Sequence, residues 1–209
     1  MSLSPLSRYA APLAIGAGAL VIVTRLVIMM TTPAEIEPLK AYVLTTTHAL
    51  NSVISIAAFA LLAVALVAVY ELQAREAGGL GALGVAAAIV GTVFMAGDWW
   101  YEAFAVPRLA EVAPDAIDTF VGGRLLAGGL ASFVLFGIGW LLFGIASLRA
   151  QVFPGAVSGA IAIGGLLSGI PIGLAYLSGM AILGIAFVSV GVWIVQTSSN
   201  TSGVATAAG

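Results

Sequence analysis

A single arginine, Arg25, stands inside the first long apolar run of this chain, and a single histidine, His48, opens the second. A guanidinium held in hydrocarbon costs at least about 2.5 kcal/mol at a helix centre unless it snorkels to the interface or finds partners. Arg25 lies five residues before Met30, about 7–8 Å along a helix axis, so its head group can reach the membrane boundary. Turned inward instead, it would pair with Asp98 or Glu102, which fall at the same depth at the end of the third run. His48 begins a polar stripe with Asn51, Ser52 and Ser55, at helical spacings of three, four and seven. Such a stripe serves helix–helix hydrogen bonding, or it lines a ligand or proton pathway. Near the boundary, this histidine would titrate around neutral pH.

Asp98 and Glu102 are one helical turn apart, so in a helix their carboxylates share a face. They could hold a cation or pair with Arg108 or Arg124, while Trp99, Trp100 and Tyr101 between them could wall a small apolar ligand. The competing reading is the aromatic belt, in which Trp and Tyr settle at the headgroup level for physical reasons alone. Tyr42 and Tyr176 fit an outer belt, and Tyr9, Tyr70 and Trp193 an inner one. The candidate ligand-binding set is therefore Arg25, His48, Asn51, Asp98, Trp99, Trp100, Glu102 and Arg124.

The same inventory sets limits. The chain has no cysteine, which removes disulfides, thiolate metal sites, iron–sulfur clusters and cysteine nucleophiles. One histidine cannot supply bis-histidine haem ligation, and catalytic zinc usually takes three protein ligands. There is no phosphate loop, no nucleophile motif and no Ser/His/Asp arrangement. No cofactor is expected. His48 and Asp98 are the only credible acid/base pair for an intramembrane enzyme. Asp115 and Asp118, after Pro114, read as helix-start residues.

The elements that must position these groups are set by composition. Of 209 residues 61% are hydrophobic and 8% charged, against about 25% charged in a soluble domain. No water-facing shell can be built from so few charges, whereas lipid accepts the apolar surface. The net charge of -2, without a Lys/Arg cluster, argues against nucleic acid. A β-barrel would alternate apolar and polar residues, and these runs are continuously apolar. The expected fold is an all-α integral membrane protein.

Runs long enough to cross the bilayer fall at about 12–30, 49–70, 80–97 and 125–148. From Val152 to Gln196 there is no charged residue, about twice one membrane thickness, and Pro171 with Gly173 breaks the stretch into spans at about 152–170 and 174–196. A bundle of six transmembrane helices in one domain, 1–197, follows, with a polar tail, 198–209, expected to be disordered. The first run lacks a small-residue cleavage site and reads as a retained helix rather than a secretion signal. Small residues four apart, such as Gly155/Gly159, Gly165/Gly169, Gly169/Gly173 and Gly128/Ser132, would let helices pack closely. The hairpin 62–91 shares its layout with 138–167, including Arg75 or Arg149 in the loop.

Two longer loops remain. Residues 98–120, between the third and fourth spans, should form a short interfacial helix interrupted by Pro107 and Pro114. Residues 31–47, with Pro33 and Pro38, form the other, and the two together would lid one end of the bundle. With the N-terminus inside, Arg8, Arg75 and Arg149 lie inside and Lys40, Arg108 and Arg124 outside. The count ties, but the short loops keep their basic residues inside. Glu35, Glu37, Glu102, Glu111, Asp115 and Asp118 fall in the longer loops. Both termini are then expected in the cytoplasm, and the chain in the cytoplasmic membrane.

The functional expectation is a non-enzymatic membrane protein whose outer end binds a small apolar or amphipathic ligand, a lipid, or a protein partner, including a second copy. A transporter or channel would instead need a polar path through the third, fifth and sixth helices, where only hydroxyls such as Thr92, Ser158, Ser168 and Ser189 occur.

Overall fold

The structure, a computed structural model, describes residues 5–32, 39–118 and 123–207. Among these there is no strand. A 3-10 turn, Pro5–Tyr9, leads into α1 (Ala10–Thr31), followed by α2 (Leu39–Val43) and α3 (Thr46–Trp100). A π turn, Tyr101–Ala105, carries the chain into α4 (Val106–Val112), and then come α5 (Pro114–Asp118), α6 (Gly123–Ala150), α7 (Gly155–Ser168) and α8 (Gly173–Ala207). Four helical stretches are long and apolar enough to cross a membrane: Pro5–Thr31, Thr46–Val112, Gly123–Ala150 and Gly173–Ser199. Gly155–Ser168 is apolar but shorter.

α3 is broken at Gly78, where φ 56 and ψ −150 lie outside the helical region. A straight helix would put His48 and Glu102 about 80 Å apart, yet the His48 ring touches the Glu102 carbonyl at 3.0 Å. The break therefore folds α3 into two antiparallel arms, 46–77 and 79–100. A left-handed φ carries a steric cost for every residue with a Cβ, which is why glycine suits this hinge. The second hairpin, between α6 and α7, turns instead through Gln151 at φ 55.

The helices close into a ring in which α1 packs on α3, α3 on α6, α6 on α7, α7 on α8, and α8 on α1. Its centre is aromatic. Phe59, Phe136, Trp140, Phe143 and Phe187 are fully buried. Phe136 meets Phe59 edge-on at 5.7 Å, and Trp140 meets Phe187 at 5.2 Å. The Trp140 indole donates to Thr92 Oγ1 at 3.0 Å, so the one polar atom of the core tryptophan is satisfied. Outward faces carry Leu83, Val93, Ile163 and Ile185, all more than half exposed. Long apolar helices with apolar outer faces are compatible with membrane insertion.

Close packing uses some of the small residues marked by four-residue spacing and others that were not. A methyl at Gly91 would strike the Phe136 backbone, and one at Gly84 the Phe143 backbone. Gly165 and Gly169 do sit at a crossing, against Trp140 and Gly137, whereas Gly155, Gly159 and Gly128 face open space. Spacing alone says nothing about which helix face meets a neighbour.

Three local expectations are corrected. Residues 98–105 are not a loop, because the helix continues through them to Val112. Pro107 does not end the helix: it follows directly on the π turn, in the first turn of α4. Pro114 does end the stretch, with Ala113 at φ −146 and ψ 62. α8 continues to Ala207, through residues read as a polar tail. The hydroxyls of Thr197, Ser198 and Ser199 bond back to the carbonyls of Trp193, Ile194 and Val195, so the helix itself satisfies them. Pro33, Glu35, Glu37, Pro38 and Phe120 of the two loops, and residues 208–209 of the tail, lie outside the described residues.

Candidate functional site

Local capping places the first polar residues. Thr45 is the N-cap of α3, its hydroxyl accepting from the His48 amide at 3.1 Å. His48, Asn51, Ser52 and Ser55 then point inward, and all four are buried. The Asn51 side-chain amide donates to Thr31 Oγ1 at 3.0 Å, tying this arm to the end of α1.

The π turn arranges the next contact. In its register the Val106 amide donates to the Tyr101 carbonyl, five residues back. The same register would pair the Glu102 carbonyl with residue 107, a proline with no N–H. His48 Nε2 fills that place at 3.0 Å and lies 3.5 Å from the Glu102 carboxylate. Because a carbonyl only accepts, Nε2 carries the proton in this contact. Tyr42 packs edge-on against the imidazole at 5.2 Å.

Arg25 is 4% exposed, which rules out snorkelling. No ion pair joins it to Asp98 or Glu102 among the described residues, which corrects the second expectation as well. Its guanidinium donates to Tyr176 Oη at 2.9 Å and Ser55 Oγ at 2.8 Å. Three aromatic rings surround it, Trp99 at 5.1 Å, Tyr176 at 5.5 Å and Phe59 at 5.9 Å. Aromatic faces and neutral hydroxyls solvate the charge in place of a carboxylate, a role suited to the weakly hydrated guanidinium.

Asp98 and Glu102 are left to line space. A cavity of about 320 Å³ is walled by the polar groups of Thr32, Tyr42, His48, Asp98 and Glu102 and by the apolar bodies of Ile28, Met95, Trp99, Phe133 and Tyr176. A second, of about 550 Å³, shares Asp98, Glu102 and Phe133 and extends past Tyr101, Arg124, Leu125 and Leu126. Asp98 Oδ2 is buried and has no hydrogen-bond donor among the described residues. Over this end, α2, α4 and α5 form a small core of their own, built on Val43, Val106, Ala110 and Ile117.

Of the residues singled out from sequence, His48, Asp98, Trp99 and Glu102 line the smaller cavity and Arg124 the larger. Arg25 stands behind the wall formed by Trp99 and Tyr176, and Asn51 lines neither cavity. Trp100 turns outward, 56% exposed, and packs on Phe104. Adjacent residues on a helix point about 100° apart, so one tryptophan of the pair enters and the other leaves. Tyr176, Tyr42, Met95 and Phe133 were not singled out as site residues. Tyr176 carried a signal, since it opens the last helix just after the Pro171 break and so belongs to the same end of the bundle as Arg25.

Among the described residues no group of three or more His, Asp or Glu is placed to hold a metal ion. Comparison with known protein families, with curated proteins and with solved structures finds no match to this chain.

Proposed function

We propose that this chain crosses a membrane six times and binds a small amphipathic molecule in the cavity between His48, Asp98, Glu102 and Tyr176. In this reading the two arms of α3 are separate spans. α7 completes its crossing with the apolar residues that flank it, Val152 and Phe153 before and Ile170 and Ile172 after. With both termini in the cytoplasm, the cavity opens toward the outer face.

The observation that carries the reading is the lining: the apolar bodies of Ile28, Met95, Trp99, Phe133 and Tyr176 and the polar groups of Tyr42, His48, Asp98 and Glu102 border one space. Ligand sites are commonly built this way, with apolar area for affinity and a few placed polar groups for orientation. Transport is less well supported, because several of the deeper hydroxyls bond within their own helices, Ser158 Oγ being the buried exception. Thr92 donates to the Ala88 carbonyl, Ser147 to Phe143 and Ser168 to Gly164.

Native mass spectrometry of the gently solubilised protein tests the reading. The expected result is a retained small molecule that is lost when Phe133→Trp fills the cavity. A bare polypeptide mass, or a retained mass indifferent to Phe133→Trp, would contradict it.

A further inference from the structure

We infer that the cavity selects a ligand bearing a protonated amine, with the Asp98 carboxylate as its counter-ion; this rests on the reading of the cavity as a ligand site. Three observations converge. First, Asp98 and Glu102 both line the cavity, and within ion-pair distance the only basic group among the described residues is His48, 3.5 Å from Glu102. His48 already spends its Nε2 proton on the Glu102 carbonyl. Second, Arg25 is committed to Tyr176 and Ser55, stands behind the rings it stacks on, and makes no ion pair with either carboxylate among the described residues. Arg124 is exposed and lines only the adjoining cavity. Third, Asp98 Oδ2 is buried without a hydrogen-bond partner among the described residues, the nearby Ser132 hydroxyl donating instead to the Gly128 carbonyl. A buried acceptor without a partner is costly to leave so, and an ammonium N–H supplies both the hydrogen bond and the missing charge.

The rest of the lining fixes the ligand's other end. Met95, Trp99, Phe133 and Tyr176 bring sulfur and aromatic surface to the same cavity, suited to an apolar body carried by the ammonium. The adjoining cavity, bounded by Leu125 and Leu126, gives a longer apolar chain room to continue. A carboxylate or phosphate ligand would meet Asp98 and Glu102 with like charge. A neutral ligand would supply neither with a counter-ion.

The test is a calorimetric titration of the full chain in detergent with three probes of one shape: 2-phenylethylammonium, neutral 2-phenylethanol and anionic 3-phenylpropionate. Each is repeated in sodium and in potassium chloride. The ammonium is expected to bind about tenfold or more tighter than the alcohol, the difference one charge-assisted contact makes, and the anion not at all. Asp98→Asn should erase the preference for the ammonium over the alcohol. Glu102→Gln should reduce the preference without abolishing it, so a poorly folding Asp98 variant does not decide the matter alone. Equal binding of ammonium and alcohol, with Asp98→Asn silent, would overturn the amine assignment and leave the cavity a site for neutral molecules. Suppression of ammonium binding by sodium but not by potassium would also overturn it, making the acidic corner an inorganic cation site. Failure of all three probes, with Phe133→Trp indifferent, would sink the ligand reading itself.

Discussion

The two ends of this helical ring solve the same problem differently. At the end that holds His48, Arg25 and Tyr176, polar side chains from α1, both arms of α3 and α8 converge beside open space. At the opposite end, Gln73 of the first arm donates to Ser147 of α6 at 2.8 Å, and both are fully buried. A methyl at Gly81 would meet Ala77 and Tyr70, and Phe153 packs on Trp193 at 5.4 Å. One end buries its few polar atoms within packed helix contacts, with Gln73 Oε1 left unpartnered there. The other holds its unpartnered atoms, Arg25 Nε and Asp98 Oδ2, at or beside a cavity. Unpartnered polarity beside a cavity points to binding, whereas polarity buried in a packed core points to stability.

That contrast predicts opposite responses to truncation. Phe153→Ala, at a residue 4% exposed in the sealed end, should cost about 3 kcal/mol in detergent unfolding, the usual price of emptying a packed aromatic site. Phe133→Ala, on the cavity wall, should cost about 1 kcal/mol, because part of its surface already faces a void. Comparable losses at both would erase the distinction. Arg25→Lys ranks next, at about 1–2 kcal/mol, since a point charge keeps the cation but not two directed bonds and three ring contacts. A parallel change at Gln73 sharpens the comparison. Gln73 Oε1 has no partner, so Gln73→Met together with Ser147→Ala should change stability by less than about 0.5 kcal/mol, both hydrogen-bonding members leaving at once. Smallest is Pro107→Ala. Restoring an N–H opposite the Glu102 carbonyl should leave stability unchanged and weaken ammonium binding about two- to threefold as His48 loses its anchor, read by titration.

Much of the helical layout could be read from residue order. The runs at 12–30 and 125–148 lie within Ala10–Thr31 and Gly123–Ala150, since hydrophobicity sets where such helices run and charges mark where they stop. The break near Pro171 was equally plain, because proline and glycine fix backbone geometry locally. The partner of Arg25 was not. Carboxylates at the right depth suggested themselves, while the actual donor-acceptor pair, Arg25 with Tyr176, joins residues 151 apart in sequence and depends on how the ring closes. Nor does polarity distinguish Trp99 from Trp100, since both are equally apolar and only the helix phase decides which enters the cavity. The π turn was hidden for a related reason. Pro107 marked a disturbance, but which carbonyl it would orphan, and that His48 would take it, required both arms of α3 in register.

Because the chain contains no cysteine, single introduced thiols can compare the two ends directly in intact membranes. Phe133→Cys in the cavity wall and Ser147→Cys in the sealed end would each be exposed to a water-soluble cationic thiol reagent and to its anionic analogue. Rapid modification is expected at residue 133, faster with the cation than with the anion because of Asp98 and Glu102, with residue 147 protected until the protein unfolds. Equal protection at both positions, or the anionic reagent reacting faster at residue 133, would contradict a water-accessible acidic cavity at one end of the ring.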